Sequence, residues 1–210
     1  MQNSSFNSLE DEKRKRIINA CIEEFANKGY DNASTNSIVE KANISKGLLF
    51  YYFGNKKNLF LYTFDYCIEY LLNKYFNEMN YKTSDLFERL IWLSLQKMKM
   101  ICEEPLMTKM LSNAIINMPK VLEKELSQKY NALYTKNISS ILKDIDTSKF
   151  RKDIETKKAI EFIMLCIDGL SNKYINIYKN RSIDELLNDM EKLMNEFKIY
   201  IEIIKYGIYV

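Results

Sequence analysis

The sequence predicts an all-α protein of about nine helices: a three-helix helix-turn-helix head followed by a six-helix body. Apolar residues recur at helical spacing along most of the 210 residues, and 47% of all residues are hydrophobic. Only five glycines and two prolines interrupt these patterns. A chain of this length can bury one large core or two smaller ones. We expect the head to span residues 1–58 and the body to span residues 59–210.

The first helix is expected from about Leu9 to Lys28. Its apolar positions, among them Ile17 and Phe25, recur at helical spacing. Gly29 follows as a residue that adopts the left-handed conformation without steric cost, so it predicts the end of the helix.

Two short helices joined by a tight turn are expected within residues 34–52. Ser34 or Thr35 can cap the first of them, and Asn43 lies where the chain must turn. Ser45 can cap the second helix. This arrangement is a helix-turn-helix, whose second helix enters the major groove of DNA.

The body begins with a long helix that opens at Asn55 and continues to about Asn77. Proline at the first position of a helix and serine or asparagine at a cap predict the later helix starts. The remaining helices are expected over 84–102, from Pro105, from Pro119 to about Leu142, over 154–179 and from Ser182 onward. Glu185 completes a capping box with Ser182.

The residue types that are absent narrow the function. The chain contains no histidine, which removes histidine-based acid–base catalysis, Ser-His triads and histidine metal sites. We therefore expect no enzyme, no catalytic residue, no metal and no cofactor.

The four cysteines form no CxxC pair and are expected to be buried free thiols. The N-terminus has no apolar signal segment and no run is long enough to span a bilayer, so we expect a cytoplasmic protein with no membrane contact.

Charge placement favours a polyanionic partner near the helix-turn-helix. The net charge is only +3, but residues 41–58 hold four lysines and no acid. A second basic cluster occupies Lys13–Arg16. Local positive charge beside a helix-turn-helix suits phosphate contact, although such a run alone is more often a solvated helix face.

The sequence SKGLLFYYF followed by GNKKNLF resembles the DNA-reading end of the TetR family of bacterial transcriptional repressors. That family usually has a Gly-Val-Ser-Lys-Gly turn, then Leu-Tyr-aromatic-His/Tyr-Phe, then Asn-Lys before a long helix. The resemblance, strongest over residues 13–60, implies a homodimeric, ligand-responsive repressor of transcription that binds double-stranded DNA at a palindromic operator. Residues at the positions where the family contacts DNA are Thr35, Asn36, Ser45, Lys46, Gly47, Leu48, Tyr51, Tyr52 and Lys56.

Several of these positions have a specific expected role. Lys46 is the best single phosphate or guanine contact, and Leu48 suits apolar contact with a thymine methyl group. Gly47 allows the backbone to approach DNA, or else packs tightly against the preceding helix. Tyr51 and Tyr52 can reach the backbone or a base edge, with burial as the alternative for Tyr51. Two positions, 50 and 57, depart from the family pattern, and a phosphate could compensate the lysine at 57.

The last two helices carry a second pattern. The segment 159–167 is apolar on nearly all faces, and a helix of this kind must be covered on both sides. Either the two helices complete an intramolecular bundle, or they pair with a second copy in a four-helix interface, as TetR-like proteins do. We expect the second arrangement, with an interface formed by Ile163, Ile167, Leu186, Met190, Leu193 and Phe197.

The body also carries many large, adaptable side chains. Methionine fills irregular space, and tyrosine offers an apolar ring with a polar tip. On a TetR-like body they predict a lipophilic small-molecule effector, bound by Tyr62, Tyr66, Trp92, Gln96, Met110, Tyr130, Tyr134 and Phe162. Ordinary core packing explains each of them singly. The alternative function is a DNA-associated interaction protein whose helical body binds a protein partner.

Overall fold

The structure is a computed structural model that describes residues 6–76, 83–178, 185 and 188–208. Its regular elements are helices, which confirms the predicted fold class. In chain order they are α1 (Asp11–Asn32), α2 (Thr35–Ala42), α3 (Lys46–Phe53), α4 (Lys56–Phe76), α5 (Leu86–Glu103), α6 (Pro105–Ile116), a 3-10 turn (Lys120–Leu122), α7 (Glu123–Leu142), α8 (Thr156–Tyr178) and α9 (Met190–Ile208). The predicted capping box at Ser182 lies outside the described residues.

The helix boundaries follow local capping chemistry. Gly29 has φ 67°, so the regular part of α1 ends there as predicted. The Asn55 side chain accepts the Asn58 N–H at 2.8 Å at the start of α4. At the start of α5 the capping side chain is Asp85, which accepts the Phe87 N–H at 2.9 Å and the Glu88 N–H at 3.2 Å.

The described chain divides into two compact units, each with its own hydrophobic core. The first unit consists of residues 6–76 and 103–133, and the second consists of the described parts of 83–102 and 134–208. The predicted boundary between residues 58 and 59 separates a DNA-binding head from a ligand-binding and dimerisation body. This functional division stays a prediction.

The core of the first unit joins α1–α4 to α6 and the beginning of α7. Phe25 and Phe60 meet edge to face with their ring centroids 4.9 Å apart. Met110 of α6 and Leu126 of α7 are buried in the same cluster. The helix-turn-helix therefore shares a continuous apolar core with helices that follow it by about fifty residues in the sequence.

Polar contacts attach α4 to α6 and α7 within the first unit. Lys74 pairs with Glu104 at 2.8 Å, and Lys129 pairs with Asp65 at 2.7 Å. Lys57 pairs with Glu125 at 2.7 Å, so its positive charge at the beginning of α4 already has a carboxylate partner. A phosphate, which could also have compensated this lysine, is therefore not required.

The core of the second unit is formed by α5, the end of α7, α8 and α9. Phe87, Ile163 and Ile201 are fully buried in this cluster. The buried Arg89 guanidinium donates to the Ile141 carbonyl at 2.8 Å, at the carboxyl end of α7. Carbonyl groups at this end of a helix lack intrahelical partners, so Arg89 satisfies one of them.

All four cysteines are free, but they are not all buried. Cys21 and Cys67 lie in the first core, and burial raises the pKa of each thiol to about 12. Cys102 is exposed, contrary to the expectation from its apolar surroundings in the sequence. The buried residues of α5 are Leu86, Phe87, Arg89 and Leu90, in its first turns, whereas Cys102 lies at its carboxyl end.

Candidate nucleic-acid interface

The turn between α2 and α3 has the geometry that the sequence predicts. Asn43 adopts the left-handed conformation (φ 50°, ψ 55°), and the Ile44 N–H donates to the Val39 carbonyl at 3.0 Å. The Ser34 hydroxyl accepts the Ser37 N–H at 3.5 Å, at the N-terminus of α2. The Ser45 hydroxyl accepts the Leu48 N–H at 3.2 Å. These contacts confirm both serine caps and define a helix-turn-helix.

Helix α3 has one face in the core and one face exposed. Leu49 and Phe53 are fully buried, as expected. Ser45, Lys46 and Gly47 are exposed at its amino end. An exposed helix end that carries a lysine suits contact with a phosphate or a base edge.

The two neighbouring tyrosines of α3 have opposite environments. Tyr51 is 65% exposed, whereas Tyr52 is only 6% exposed. The Tyr52 ring packs against Phe6 with the centroids 5.5 Å apart. The structure thus corrects the prediction for Tyr52: its ring belongs to the core, because Tyr52 lies about 100° around the helix from Tyr51 and packs against Phe6.

Gly47 does not serve intrachain packing. A Cβ atom added to Gly47 would meet no other atom within 4 Å. The alternative of tight packing against α2 therefore has no support, and the open space leaves room for another molecule to approach the backbone.

The other predicted contact residues surround this face. Asn36 is exposed and Thr35 is half-buried in the first turn of α2. Leu48 is half-buried against the first core. The Lys56 ammonium donates to the Asp31 carbonyl at 3.1 Å and lies 5.0 Å from the centroid of the Tyr30 ring.

Half of the basic cluster at Lys13–Arg16 is used within the chain. Arg14 pairs with Asp11 and donates to the Asn7 carbonyl at 2.9 Å. Arg16 donates through Nε to the Ala42 carbonyl at 2.8 Å. The sequence indicated phosphate contact for this cluster, but a positive charge does not reveal which carbonyl it will meet in the fold.

The residues predicted to bind an effector are divided between the two units. Tyr62, Tyr66, Met110 and Tyr130 belong to the first unit, and Trp92, Gln96, Tyr134 and Phe162 belong to the second. Met110 is buried core beside Cys67, and the Tyr62 hydroxyl donates to the Asn7 side chain at 2.8 Å. The Tyr134 hydroxyl donates to Asp168 at 2.9 Å, while Phe162 is exposed.

Each unit contains a concave site. A partly enclosed cavity of about 290 Å³ in the first unit is lined by the end of α1, Phe60 of α4, and Met110 and Asn113 of α6. An open, mostly apolar groove in the second unit is lined by Leu142, Ile160, Met164 and Leu165, among others. Of the eight predicted effector-binding residues, Met110 lines the first of these sites.

The predicted dimer residues occupy three different environments. Ile163 is fully buried inside its own chain, so it is not available to a partner. Ile167, Met190, Leu193 and Phe197 are half-buried, and Ile167 and Phe197 pack on the second core. Leu186 lies outside the described residues.

Apart from Phe162, which was assigned to the effector site, sequence reasoning missed the large apolar side chains that α8 and α9 expose. An apolar run covers nearly the whole circumference of α8 in the sequence, so periodicity could not identify the outward face. The exposed large side chains of these two helices are Phe162, Leu165, Ile177, Ile199, Ile203 and Tyr206.

Other kinds of site are not found in the part of the chain that the structure describes. No group of three or more metal-ligating side chains lies together there. Among the same residues, no helix combines the length and the apolar character needed to cross a membrane.

Family models match both parts of the chain. Residues 17–63 match the model for bacterial regulatory proteins of the tetR family, and residues 84–209 match the model for the tetracyclin repressor-like C-terminal domain. The biofilm operon icaADBC HTH-type negative transcriptional regulator IcaR of Staphylococcus aureus is 32% identical over 78 residues, which are 36% of this chain. The match spans 42% of the length of that relative.

Solved structures share the fold over most of the chain. A TetR family transcriptional regulator from Chloroflexus aurantiacus has a TM-score of 0.64 at 23% identity and covers 99% of this chain and 98% of its own. The regulator FadR from Bacillus subtilis, solved in complex with stearoyl-CoA, has a TM-score of 0.57 at 16% identity. That likeness covers 86% of this chain and 96% of FadR. At these identities the structural likeness establishes the fold.

Proposed function

The chain belongs to the tetR family of bacterial regulatory proteins, and we propose that it is a homodimeric transcriptional repressor that a lipophilic small molecule releases from a palindromic operator. The observation that carries the DNA-binding part is the exposed face of α3. There Lys46, Gly47 and Tyr51 lie outside the core, beside the capped turn that ends at Ser45.

The proposed contacts divide into positioning and reading roles. Lys46 contacts a phosphate or a guanine, and Asn36 and Thr35 contact the backbone from the first turn of α2. The exposed Tyr51 ring reaches the backbone or a base edge. Leu48, half-buried, offers its outer methyl group to a thymine.

The proposed dimer uses the outward faces of α8 and α9. Ile199, Ile203 and Tyr206 are spaced four and three residues apart, so they form one stripe on α9. On α8, Leu165 is followed four residues later by the exposed Gly169, whose lack of a side chain permits close approach of a second helix. Exposed apolar side chains grouped in this way favour a binding surface.

The occupant that we propose for this face is a second copy of the chain. Two heads held by a two-fold dimer would bind half-sites about one helical turn of DNA apart, ~34–36 Å, or somewhat more. The alternative function is a body that binds a different protein through this face. In that case the free chain would sediment as a monomer.

The proposed effector is an aromatic or amphipathic lipophilic molecule. The open groove beside α8 in the second unit is mostly apolar, which suits such a ligand. Leu165 lines both this groove and the proposed dimer face, so the partner subunit would border the ligand. The structural likeness to FadR, solved with stearoyl-CoA, makes that compound a reasonable first probe. An effector releases DNA only if it binds the non-binding state more tightly, because equal affinity for both states shifts nothing.

The test of DNA binding starts from a pool of randomised duplexes. We expect the wild-type protein to select a palindromic sequence from this pool. Lys46→Ala should bind the selected duplex more weakly and lower the salt dependence by about one unit, as loss of one phosphate contact requires. Lys124→Ala, which removes an exposed lysine of α7, is the matched control. Failure of the wild type to select any sequence would refute the proposed function.

The test of effector control uses the single tryptophan, Trp92, which is half-buried in the second unit. Its fluorescence and the binding of the selected duplex are measured together across lipophilic compounds that include stearoyl-CoA. An effector should change the fluorescence and release the DNA over the same concentration range. If no compound does both, the control by a lipophilic molecule is wrong, while DNA binding stands.

A further inference from the structure

The amino end of α2 is held by one carboxylate of α1. The Glu24 side chain is only 2% exposed. It accepts the Ser34 N–H at 2.9 Å and the Ser37 hydroxyl at 2.8 Å, and Lys28 pairs with it at 3.0 Å. Burial alone would raise the pKa of the Glu24 carboxyl. The hydrogen bonds and Lys28 lower the pKa by more than burial raises it, so it lies below its ordinary value. The group is therefore ionised at neutral pH.

The carboxyl end of α2 is held by one guanidinium of α1, that of Arg16. Arg16 donates through Nε to the carbonyl of Ala42, the last residue of α2. Ala42 is fully buried, so its carbonyl has limited access to water. Carbonyl groups in the last turn have no intrahelical partner, and arginine satisfies this one.

The spacing of Arg16 and Glu24 matches the length of α2, and their charges match the dipole of α2. Arg16 and Glu24 are eight residues apart on α1, and α2 is eight residues long. At 1.5 Å per residue, both distances are about 12 Å. The negative group lies at the positive end of the α2 dipole and the positive group at its negative end.

We propose that Arg16 and Glu24 form a clamp that fixes α2 on α1 and thereby positions the DNA-contacting turn of α2 and the recognition helix α3. The two residues are positioning residues; they act through α2 and need not touch DNA. In the sequence, Thr35 and Asn36 lie between the two residues that Glu24 holds, Ser34 and Ser37, so the clamp adjoins the proposed backbone contacts. This inference rests on the proposed DNA-binding function.

The sign of one effect separates the clamp from simple electrostatics. Glu24→Gln removes a negative charge from the DNA-binding head, and that change alone would strengthen binding to a polyanion. The clamp requires the opposite result, because glutamine has one acceptor oxygen in place of two and lacks the charge that pairs with Lys28. We expect Glu24→Gln to lower the affinity for the selected duplex about tenfold, and Glu24→Ala to lower it more.

A matched control lies on the same pair of helices. Lys41 of α2 pairs with Glu23 of α1, and these two side chains are 40% and 46% exposed. Exposed ion pairs contribute little, so Glu23→Gln should change the DNA affinity less than about twofold. Arg16→Gln provides a second clamp variant at a more exposed position, for use if Glu24 variants fail to fold.

Hydrogen exchange of the free full-length protein tests the clamp without DNA. The amides of α2 should exchange faster in Glu24→Gln and Arg16→Gln and at the wild-type rate in Glu23→Gln. In Glu24→Gln the largest change is expected at the Ser34 N–H, which donates to that carboxylate. Wild-type exchange in both clamp variants, or DNA binding by Glu24→Gln as tight as that of the wild type, would overturn the proposal. If the wild type itself binds no duplex, the proposed function fails, and the exchange rates still decide whether α2 is clamped.

Discussion

Helices α1–α4 and helices α8 and α9 differ in how completely they bury their large apolar side chains. Along the described α1–α4, Tyr51 is the one large apolar side chain that is exposed. The described α8 and α9 expose six, and Tyr206 is 80% exposed. Each buried leucine or isoleucine contributes about 1.5–3 kcal/mol relative to its exposed state. The head therefore completes its core within one chain, whereas α8 and α9 leave a face that a partner can cover.

The largest expected effect comes from charging the inner face of α8. Ile163 is fully buried against the second core, so Ile163→Glu would place an unpaired carboxylate among apolar side chains. The cost is several kcal/mol, a large part of the stability of a typical domain. We expect the second unit to unfold, as measured by circular dichroism and thermal melting. A folded Ile163→Glu monomer would show that Ile163 faces a partner after all.

Charging the outer face of α9 should have a different result. Ile203→Glu changes an exposed side chain, so the chain should stay folded and melt nearly as the wild type does at the same subunit concentration, apart from the lost dimer contribution. The dimer should dissociate, because its interface would bury an unpaired charge at a cost of several kcal/mol. Sedimentation reports the mass, and binding to the selected duplex should fall with it. Lys198→Glu, which is exposed but off the apolar stripe, is the control and should remain dimeric.

Acid should weaken the first unit through Glu24. Because the folded-state pKa of this carboxyl lies below its ordinary value, its stabilisation is complete above the unfolded pKa of about 4.3 and is lost as the pH falls through the folded pKa. Glu24→Gln should be less stable than the wild type by about 1.5–3 kcal/mol at neutral pH. Denaturation curves at several pH values should show this difference shrinking below about pH 4.3. A difference that is independent of pH would mean that Glu24 is not ionised in the folded head.

The smallest change in stability is expected at Tyr51. Its exposed ring adds little to the core, so Tyr51→Ala should alter the free energy of unfolding by no more than about 0.5 kcal/mol. Binding to the selected duplex should nevertheless weaken severalfold. Tyr52→Ala is the matched comparison: it removes a core ring and should cost about 3–5 kcal/mol of stability. Equal effects of the two changes on stability would contradict the assigned faces of α3.

Local signals in the sequence were sufficient for the turn between α2 and α3. Ser34, Asn43 and Ser45 interact with backbone groups no more than three or four residues away. Their roles therefore follow from cap and turn chemistry. The faces of α3 and α8 were harder to predict. Tyr51 and Tyr52 are adjacent residues of the same type, and they differ in tertiary contacts such as the packing of Phe6 on Tyr52, which the local sequence does not show.

The buried polar contacts could not be predicted from the sequence. Glu24 follows Glu23 directly, and nothing in the two letters indicates that one carboxylate is exposed and the other holds the start of α2. Arg16 belongs to a basic run that indicates solvent or phosphate, yet it binds a carbonyl 26 residues later in the chain. Such contacts depend on the approach of two helices, which the sequence pattern alone does not give.

The open space at Gly47 has an evolutionary consequence. Alanine is preferred to glycine within a helix by about 1 kcal/mol, and the added methyl group would meet no atom of the chain. A more stable head is thus one substitution away, and the chain does not have it. Stabilising changes that a protein lacks are often those that its activity does not tolerate. If the backbone of α3 approaches DNA at Gly47, as we propose, variation at this position should be narrower among relatives of this chain than at the outer residues of α7.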